Sequence, residues 1–271
     1  MTNLEAVVLG VVQGITEFLP ISSTAHLRLV PALAGWEDPG AAFTAVLQLG
    51  TLAAVLVFFA RDLASMAQGA VRAAVTPERR RDPEVRLLLH LVVGTLPVVV
   101  AGVLLRKAIH GGLRALPVIA AAMVGVGILL GIVERLAKHQ RALDELTWRD
   151  ALIIGLGQSL ALVPGVSRSG ITLLVAMAIG VRRDAAARFS FLLSIPAVAG
   201  AGIFELKEVL HASEGSTPLL IGLAVAAVTG YASVAWLLRY LRTRTTMPFV
   251  IYRVLAGLLI FALLAAGRLN G

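Results

Sequence analysis

With 58% hydrophobic and 15% charged residues in 271 positions, and a mean hydropathy of +0.87, the chain is too apolar for an ordinary soluble domain. It has no cysteine, which excludes a disulfide framework and a thiolate metal site. The formal charge of +8 does not point to nucleic acid, because the basic residues sit mostly in connections between apolar runs, as membrane topology bias places them.

Residues 6–19 form an apolar run that is short for a span and stops at Pro20. A run of this length reads as re-entrant or buried. Backbone broken at membrane depth must be buried in protein or line a water-filled cavity, so Pro20–Thr24 is expected to line one. The first residues do not read as a secretory signal: no basic n-region precedes the run, and Glu5 and Glu17 flank and interrupt it. Spans are predicted at about 41–60, 87–105 and 116–136. A charged connection over 61–86, with Asp62 and Arg79-Arg80-Arg81, is expected to be a solvated loop; a polar connection covers 137–150. A second short run, 151–163, stops at Pro164-Gly165, and spans follow at about 186–204, 217–238 and 249–267. The sequence thus predicts an all-α integral membrane protein forming a single polytopic membrane domain.

The two halves resemble each other. Ala6-Val7-Val8-Leu9-Gly10-Val11-Val12-Gln13 matches Ala151-Leu152-Ile153-Ile154-Gly155-Leu156-Gly157-Gln158, and each is followed by a proline and a hydroxyl cluster. Phe43 to Gln48 similarly matches Phe189 to Ser194. The expected organisation is two repeats, about 1–136 and 151–271, each a re-entrant helix pair plus three transmembrane helices. An odd number of spans per repeat makes the second inverted. The connections at 61–86, 137–150, 182–188 and 239–247 then share one side and hold most of the Lys and Arg. The other side holds Arg28, Arg106, Lys107, Arg114, Lys207 and Arg268. The richer side is expected to be cytoplasmic, and both short runs to meet near the midplane, where inverted-repeat transporters bind their substrates.

The polar chemistry lies at the two breaks. Gln13 and Glu17 are four apart and share a helical face. A carboxylate at membrane depth is costly enough to mark a functional site. Glu17 suits a hard divalent cation such as Mg²⁺, which shares substrate phosphates and keeps waters; Gln13 is a weak second ligand. Ser22, Ser23 and Thr24 follow Pro20, and hydroxyls there can cap a helix whose N-terminus also accepts an anion. His26 lies within one turn and could act as acid, base or nucleophile. In the second break, Arg168 has the rigid donor fork that matches phosphate. Ser167, Ser169 and Thr172 surround it, and Gly165 and Gly170 let backbone come close. Elsewhere, His90, His110, His139 and His211 read as loop or helix-end residues. Gln158 reads as a polar contact between the short helices. Arg253 reads as snorkelling, the cavity being the other place open to it. An oxyanion clamp beside an acid and hydroxyls suits phosphoryl chemistry on a substrate whose tail stays in lipid. Residue chemistry alone leaves hydrolysis and transport both open.

At these residues the chain resembles the bacterial undecaprenyl-diphosphate phosphatase family, the bacitracin-resistance proteins. The shared features are a (Glu/Gln)-x-x-x-Glu motif at Gln13 to Glu17, the run Pro20-Ile21-Ser22-Ser23-Thr24-Ala25-His26-Leu27, and Pro164-Gly165-Val166-Ser167-Arg168-Ser169-Gly170-Ile171-Thr172. Ala25 stands where the family usually has Gly, and Gln13 is the neutral choice in its motif. The resemblance implies hydrolysis of the C55 polyprenyl diphosphate to the monophosphate carrier lipid of cell-wall synthesis, and with it bacitracin resistance. It implies Mg²⁺ or Ca²⁺ dependence and a multi-pass protein of the inner membrane with a site open to the periplasmic side. By position, Glu17 and Gln13 are metal or catalytic residues. Ser23 or His26 is the nucleophile, and Arg168 with Ser22, Thr24, Gly165, Ser167, Ser169, Gly170 and Thr172 holds the diphosphate. The expected partners are the bilayer and the lipid substrate, with a homo-oligomer admitted. The rival expectation is a transporter or flippase of a phosphorylated polyprenyl lipid.

Overall fold

A computed structural model describes the backbone of residues 1–109, 112–212 and 216–269. It is built of helices; among the described residues the only extended pairing is a single bridge between Arg141 and Val181. In chain order the helices are α1 (Asn3–Phe18), α2 (Ser23–Ala34), α3 (Gly40–Phe58), α4 (Ala60–Val75), α5 (Pro83–Ile109), α6 (Leu116–Leu136), α7 (Trp148–Ser159), α8 (Arg168–Ala178), α9 (Arg183–Ala212), α10 (Ser216–Tyr240) and α11 (Met247–Ala265).

Among the described residues six helices are long and apolar enough to cross a membrane: α3, α5, α6, α9, α10 and α11. They cover the six predicted spans. Their outward faces carry large apolar side chains, among them Val57, Leu96, Val103, Leu104, Val228 and Leu255. Such faces suit lipid, which needs no polar partner from them. The short helices α1 and α7 pack against them on one face and keep exposed apolar side chains such as Ile15 and Leu156 on the other. α1 packs on α10 and α7 on α5. Both contacts depend on small residues that let backbones approach. A side chain at Gly155 would place Cβ 2.2 Å from the Gly94 carbonyl oxygen, and one at Gly14 would strike the Thr229 hydroxyl.

The connection 61–86 differs from the expected loop. Most of it is α4, an amphipathic helix with Met66, Gly69 and Ala73 buried, followed by a 3-10 turn at Pro77–Arg81. Its apolar stripe recurs at helical spacing, which the charges at 78–86 obscure. Asp62 is not merely solvated but pairs with Arg188 at 2.5 Å. Other polar connections are tied together in the same way. Glu134, at the end of α6, accepts from Arg183 Nε at 2.9 Å and from the Thr246 hydroxyl at 2.8 Å. At a separate cluster Asp38 takes Arg114 at 2.9 Å and Arg28 at 3.5 Å. His90 lies well within α5 rather than at a helix end, and His139 is in a connection as expected. His110 and the side chain of His211 lie outside the described residues.

Asp150 starts α7 and closes a capping box with Thr147. Burial pushes its carboxyl up, but hydrogen bonds from Arg141 and Thr147 outweigh that and hold it down at about 2. A carboxyl depressed below its unfolded value of about 3.9 stabilises the fold above that value and ceases to as pH falls through the folded one. Arg141→Ala should therefore lower the thermal unfolding temperature in detergent at neutral pH. The gap from the parent should narrow as pH falls from about 5 toward about 2; a gap independent of pH would contradict this role.

Candidate functional site

Each half breaks its short helix in the same manner. Pro20 and Pro164 carry no N–H and cannot continue a helical ladder, so α1 ends at Phe18 and the α7 segment ends after a 3-10 turn at Leu160–Leu162. The chain then turns through a serine with positive φ, Ser22 at 75° and Ser167 at 72°. Non-glycine residues pay strain for that conformation, which persists only where the surroundings enforce it. The next residue in each case opens a helix: Ser23 begins α2 and Arg168 begins α8. The Oγ of Ser167 accepts from Gly170 N at 3.1 Å, whereas Ser22 caps nothing and pairs with the Thr24 hydroxyl instead.

The two breaks meet. Glu17 is an ion-pair partner of Arg168 through Oε1. Its Oε2 accepts from the Ser23 hydroxyl at 2.5 Å and from Gln13 Nε2 at 2.9 Å, and Gln13 Nε2 also reaches the Thr51 hydroxyl at 3.4 Å. Ser169 donates to the carbonyls of Glu17 and Leu19, both at 3.1 Å, and Gly165 N donates to the Thr24 hydroxyl at 3.3 Å. Gly165, at φ 94°, lies so close to α6 that a Cβ would stand 2.5 Å from the Ile119 carbonyl oxygen.

Arg253 differs from its expected place. It does not snorkel; it is 0% exposed. Its guanidinium donates to the carbonyls of Pro20 (3.1 Å), Gly165 (2.9 Å) and Val166 (3.1 Å), and to those of Ala122 and Met123 on α6. One side chain therefore satisfies carbonyls from both breaks. The available signal was a charged residue inside a span, which marks function or structure rather than lipid contact.

A cavity of about 210 Å³ opens beside the ion pair. Its polar lining is Glu17, Ser23, Thr24, Thr44, Gln48, Arg114, Gln158, Ser167 and Arg168, and apolar side chains of α3, α5, α9 and the second break complete it. Of the residues singled out from sequence, Glu17, Ser23, Thr24, Ser167 and Arg168 face this space together. Gln13 stands behind Glu17. Ser22, Ser169, Gly165, Gly170 and Thr172 build the turns around it, with the Thr172 hydroxyl engaged by Arg168 O and Ser190. His26 is outside the lining. Its Nδ1 donates to Ser22 O at 2.7 Å, and its ring stacks on Tyr252, whose hydroxyl lies 2.6 Å from Nε2. Gln158 differs from expectation too: neither amide atom has a hydrogen-bond partner. Thr44, Gln48 and Arg114 had not been anticipated in the site. Gln48 carries the weak signal of a polar residue within a span; Arg114, in a basic connection, carries none.

Among the described residues no three His, Asp or Glu side chains are grouped to hold a metal ion. Glu17 is a lone carboxylate whose oxygens are already bonded. The buried Oε1 of Gln13 is, however, an unpartnered carbonyl acceptor two bonds from the nitrogen that holds Glu17. This donor set fits a hard cation that arrives with phosphate oxygens to complete its shell, and not one caged by protein alone.

Six spanning helices and two broken helical segments, with an arginine, a carboxylate and a serine converging on a cavity, define an integral membrane protein with a charged site between its halves. The family model described as bacitracin resistance protein BacA matches residues 6–259, and the chain belongs to that family. Its relatives include an undecaprenyl-diphosphatase of Myxococcus xanthus, 51% identical over all of this chain and 92% of that protein. Others are undecaprenyl-diphosphatase 2 of Frankia casuarinae, 47% identical over 100% and 97%, and an undecaprenyl-diphosphatase of Chlorobium limicola, 45% identical over 99% of each.

The Arg253 clamp gives a direct test. A lysine retains the charge but cannot reach carbonyls on three segments at once. Arg253→Lys should destabilise the protein by on the order of 3 kcal/mol, as buried carbonyls lose their donors. Thermal unfolding in detergent measures this, and an unchanged midpoint would refute the clamp.

Proposed function

We propose that this site performs the hydrolysis of undecaprenyl diphosphate to undecaprenyl phosphate and inorganic phosphate, through Ser23 activated by Glu17. The protein is an integral membrane hydrolase of the bacitracin-resistance family and acts on this lipid diphosphate. The observation that carries the mechanism is the triangle of Arg168, Glu17 and Ser23 on one cavity wall.

The Ser23 hydroxyl already donates to Glu17, so the carboxylate is placed to take its proton as Oγ attacks the terminal phosphorus. The bond from phosphorus to the bridging oxygen breaks, and the lipid monophosphate leaves. Water then cleaves the phosphoserine and releases phosphate. Arg168 exchanges its contact with Glu17 for the terminal phosphate, where a guanidinium fork matches the oxygens and offsets the developing charge. Ser23 also opens α2, so the attacked phosphorus lies at a helix N-terminus, which favours negative charge. A divalent cation, Mg²⁺ or Ca²⁺, belongs to the same proposal: it would be held by Glu17 and Gln13 Oε1 together with phosphate oxygens, and would neutralise phosphate charge. His26, tied to Ser22 and Tyr252, holds the first turn of α2 rather than attacking.

We further read the halves as inverted repeats, about 1–136 and 151–271. The matched strained serines support this, as does the crossed packing of α1 on α10 and α7 on α5. The excess of basic residues in the connections joined through Asp62–Arg188 and Glu134–Arg183 favours that side as cytoplasmic. The Arg28–Asp38–Arg114 side then faces the periplasm across the inner membrane.

Phosphate release from a polyprenyl diphosphate by detergent-purified protein tests the mechanism. Glu17→Ala, Ser23→Ala and Arg168→Ala should each lower turnover by about 10²-fold or more, the scale of removing a charge-stabilising or reacting group; near-parent turnover in any of them removes its assigned role. Chelation with EDTA should abolish release, and Mg²⁺ or Ca²⁺ should restore it; release indifferent to EDTA would exclude the cation.

A further inference from the structure

Gln158 lies near the end of α7, 0% exposed, in the wall of the cavity that holds Arg168. Neither its Nε2 nor its Oε1 has a hydrogen-bond partner. Burying an amide without replacing its water is unfavourable, and an apolar side chain of similar shape would avoid the penalty. A group kept unsatisfied at such a place is provided for something that comes later.

The matching residue of the first half shows what the position can do. Gln13 points its amide nitrogen at the Glu17 carboxylate. In the second half the residue four positions after Gln158 is Leu162, so the same amide meets no carboxylate of the protein. The residue itself lines the space beside Arg168, with its amide buried just behind the wall. One glutamine thus serves an internal oxyanion, and the other borders the space that an incoming one must enter. We propose that Gln158 is a substrate-binding residue whose carboxamide N–H donates to a phosphate oxygen of the diphosphate alongside Arg168.

This rests on the reading of the site given above. A neutral donor is suited to the position, because a second cation there would repel the Arg168 guanidinium and compete for Glu17. A buried amide also selects its ligand: an anion without an acceptor oxygen at that point leaves it unsatisfied again.

Gln158→Met keeps the approximate volume and removes the amide. Phosphate release from polyprenyl diphosphate and thermal unfolding would be measured on the full chain in detergent. The expected result is a KM raised about tenfold or more, the scale of one hydrogen bond to a charged group, with an unfolding temperature equal to or above the parent's. Gln158→Glu should lose more, because its carboxylate repels the diphosphate. Parent-like KM in Gln158→Met or parent-like activity in Gln158→Glu, with Arg168→Ala inactive, overturns this inference alone. A lowered unfolding temperature with unchanged KM assigns Gln158 to packing and also overturns it. Parent-like activity in Arg168→Ala would instead defeat the reading of the site itself.

Discussion

Backbone that breaks at membrane depth has no water to satisfy it, and the fold is arranged around supplying that need. Arg253 does most of this. From α11 it reaches under both breaks and donates to Pro20, Gly165 and Val166 while holding α6 through Ala122 and Met123. Guanidinium is the side chain for this task, since it stays charged and carries five donors in a fixed plane. Without it, carbonyls from two interrupted helices would be left in an apolar interior. Side-chain hydroxyls finish the work: Ser169 donates to Glu17 O and Leu19 O, and Thr24 accepts from Gly165 N. Several hydroxyls that resemble substrate ligands in sequence are therefore the fastening between the halves.

That fastening explains how a carboxylate, a hydroxyl and a guanidinium can stand at fixed positions beside two breaks. Ser22 and Ser167 are held at positive φ, and each projects the following residue from a helix start toward the cavity. The two halves use one backbone device for two chemistries. In the first half the presented residue is Ser23, a hydroxyl; in the second it is Arg168, a guanidinium. The strain, of order 1–3 kcal/mol per residue, is sustained by the Arg253 and Ser169 contacts around it.

The sequence carried the membrane class and all six spans, because apolar length is a strong and local signal. It also carried Glu17, Ser23 and Arg168, because ionisable and hydroxyl residues beside a proline break are conspicuous in an apolar run. It did not carry α4, whose weak apolar stripe is masked by neighbouring charges. Arg253 looked like an interfacial residue, since its carbonyl partners lie more than eighty positions away in sequence. Nor could the sequence show that the His26 ring is engaged by Tyr252, more than two hundred positions distant, while Ser23 faces the cavity. Arg114 entered the cavity wall with no local signal at all. Apart from α4, what sequence missed is a matter of long-range partners.

The Glu17–Arg168 pair also bears on why hydrolysis suits this architecture better than passage of the lipid. A buried ion pair is seldom retained for stability alone, since apolar packing often does as well. In the proposed mechanism its two members have separate tasks that the pairing connects. A phosphate that draws Arg168 away leaves Glu17 to the Ser23 hydroxyl, already 2.5 Å from it. In the proposed mechanism, phosphate binding thus frees Glu17 from Arg168 and leaves it to the Ser23 hydroxyl that it already holds. A carrier that merely moved the lipid would gain nothing from a hydroxyl held against a carboxylate at that point.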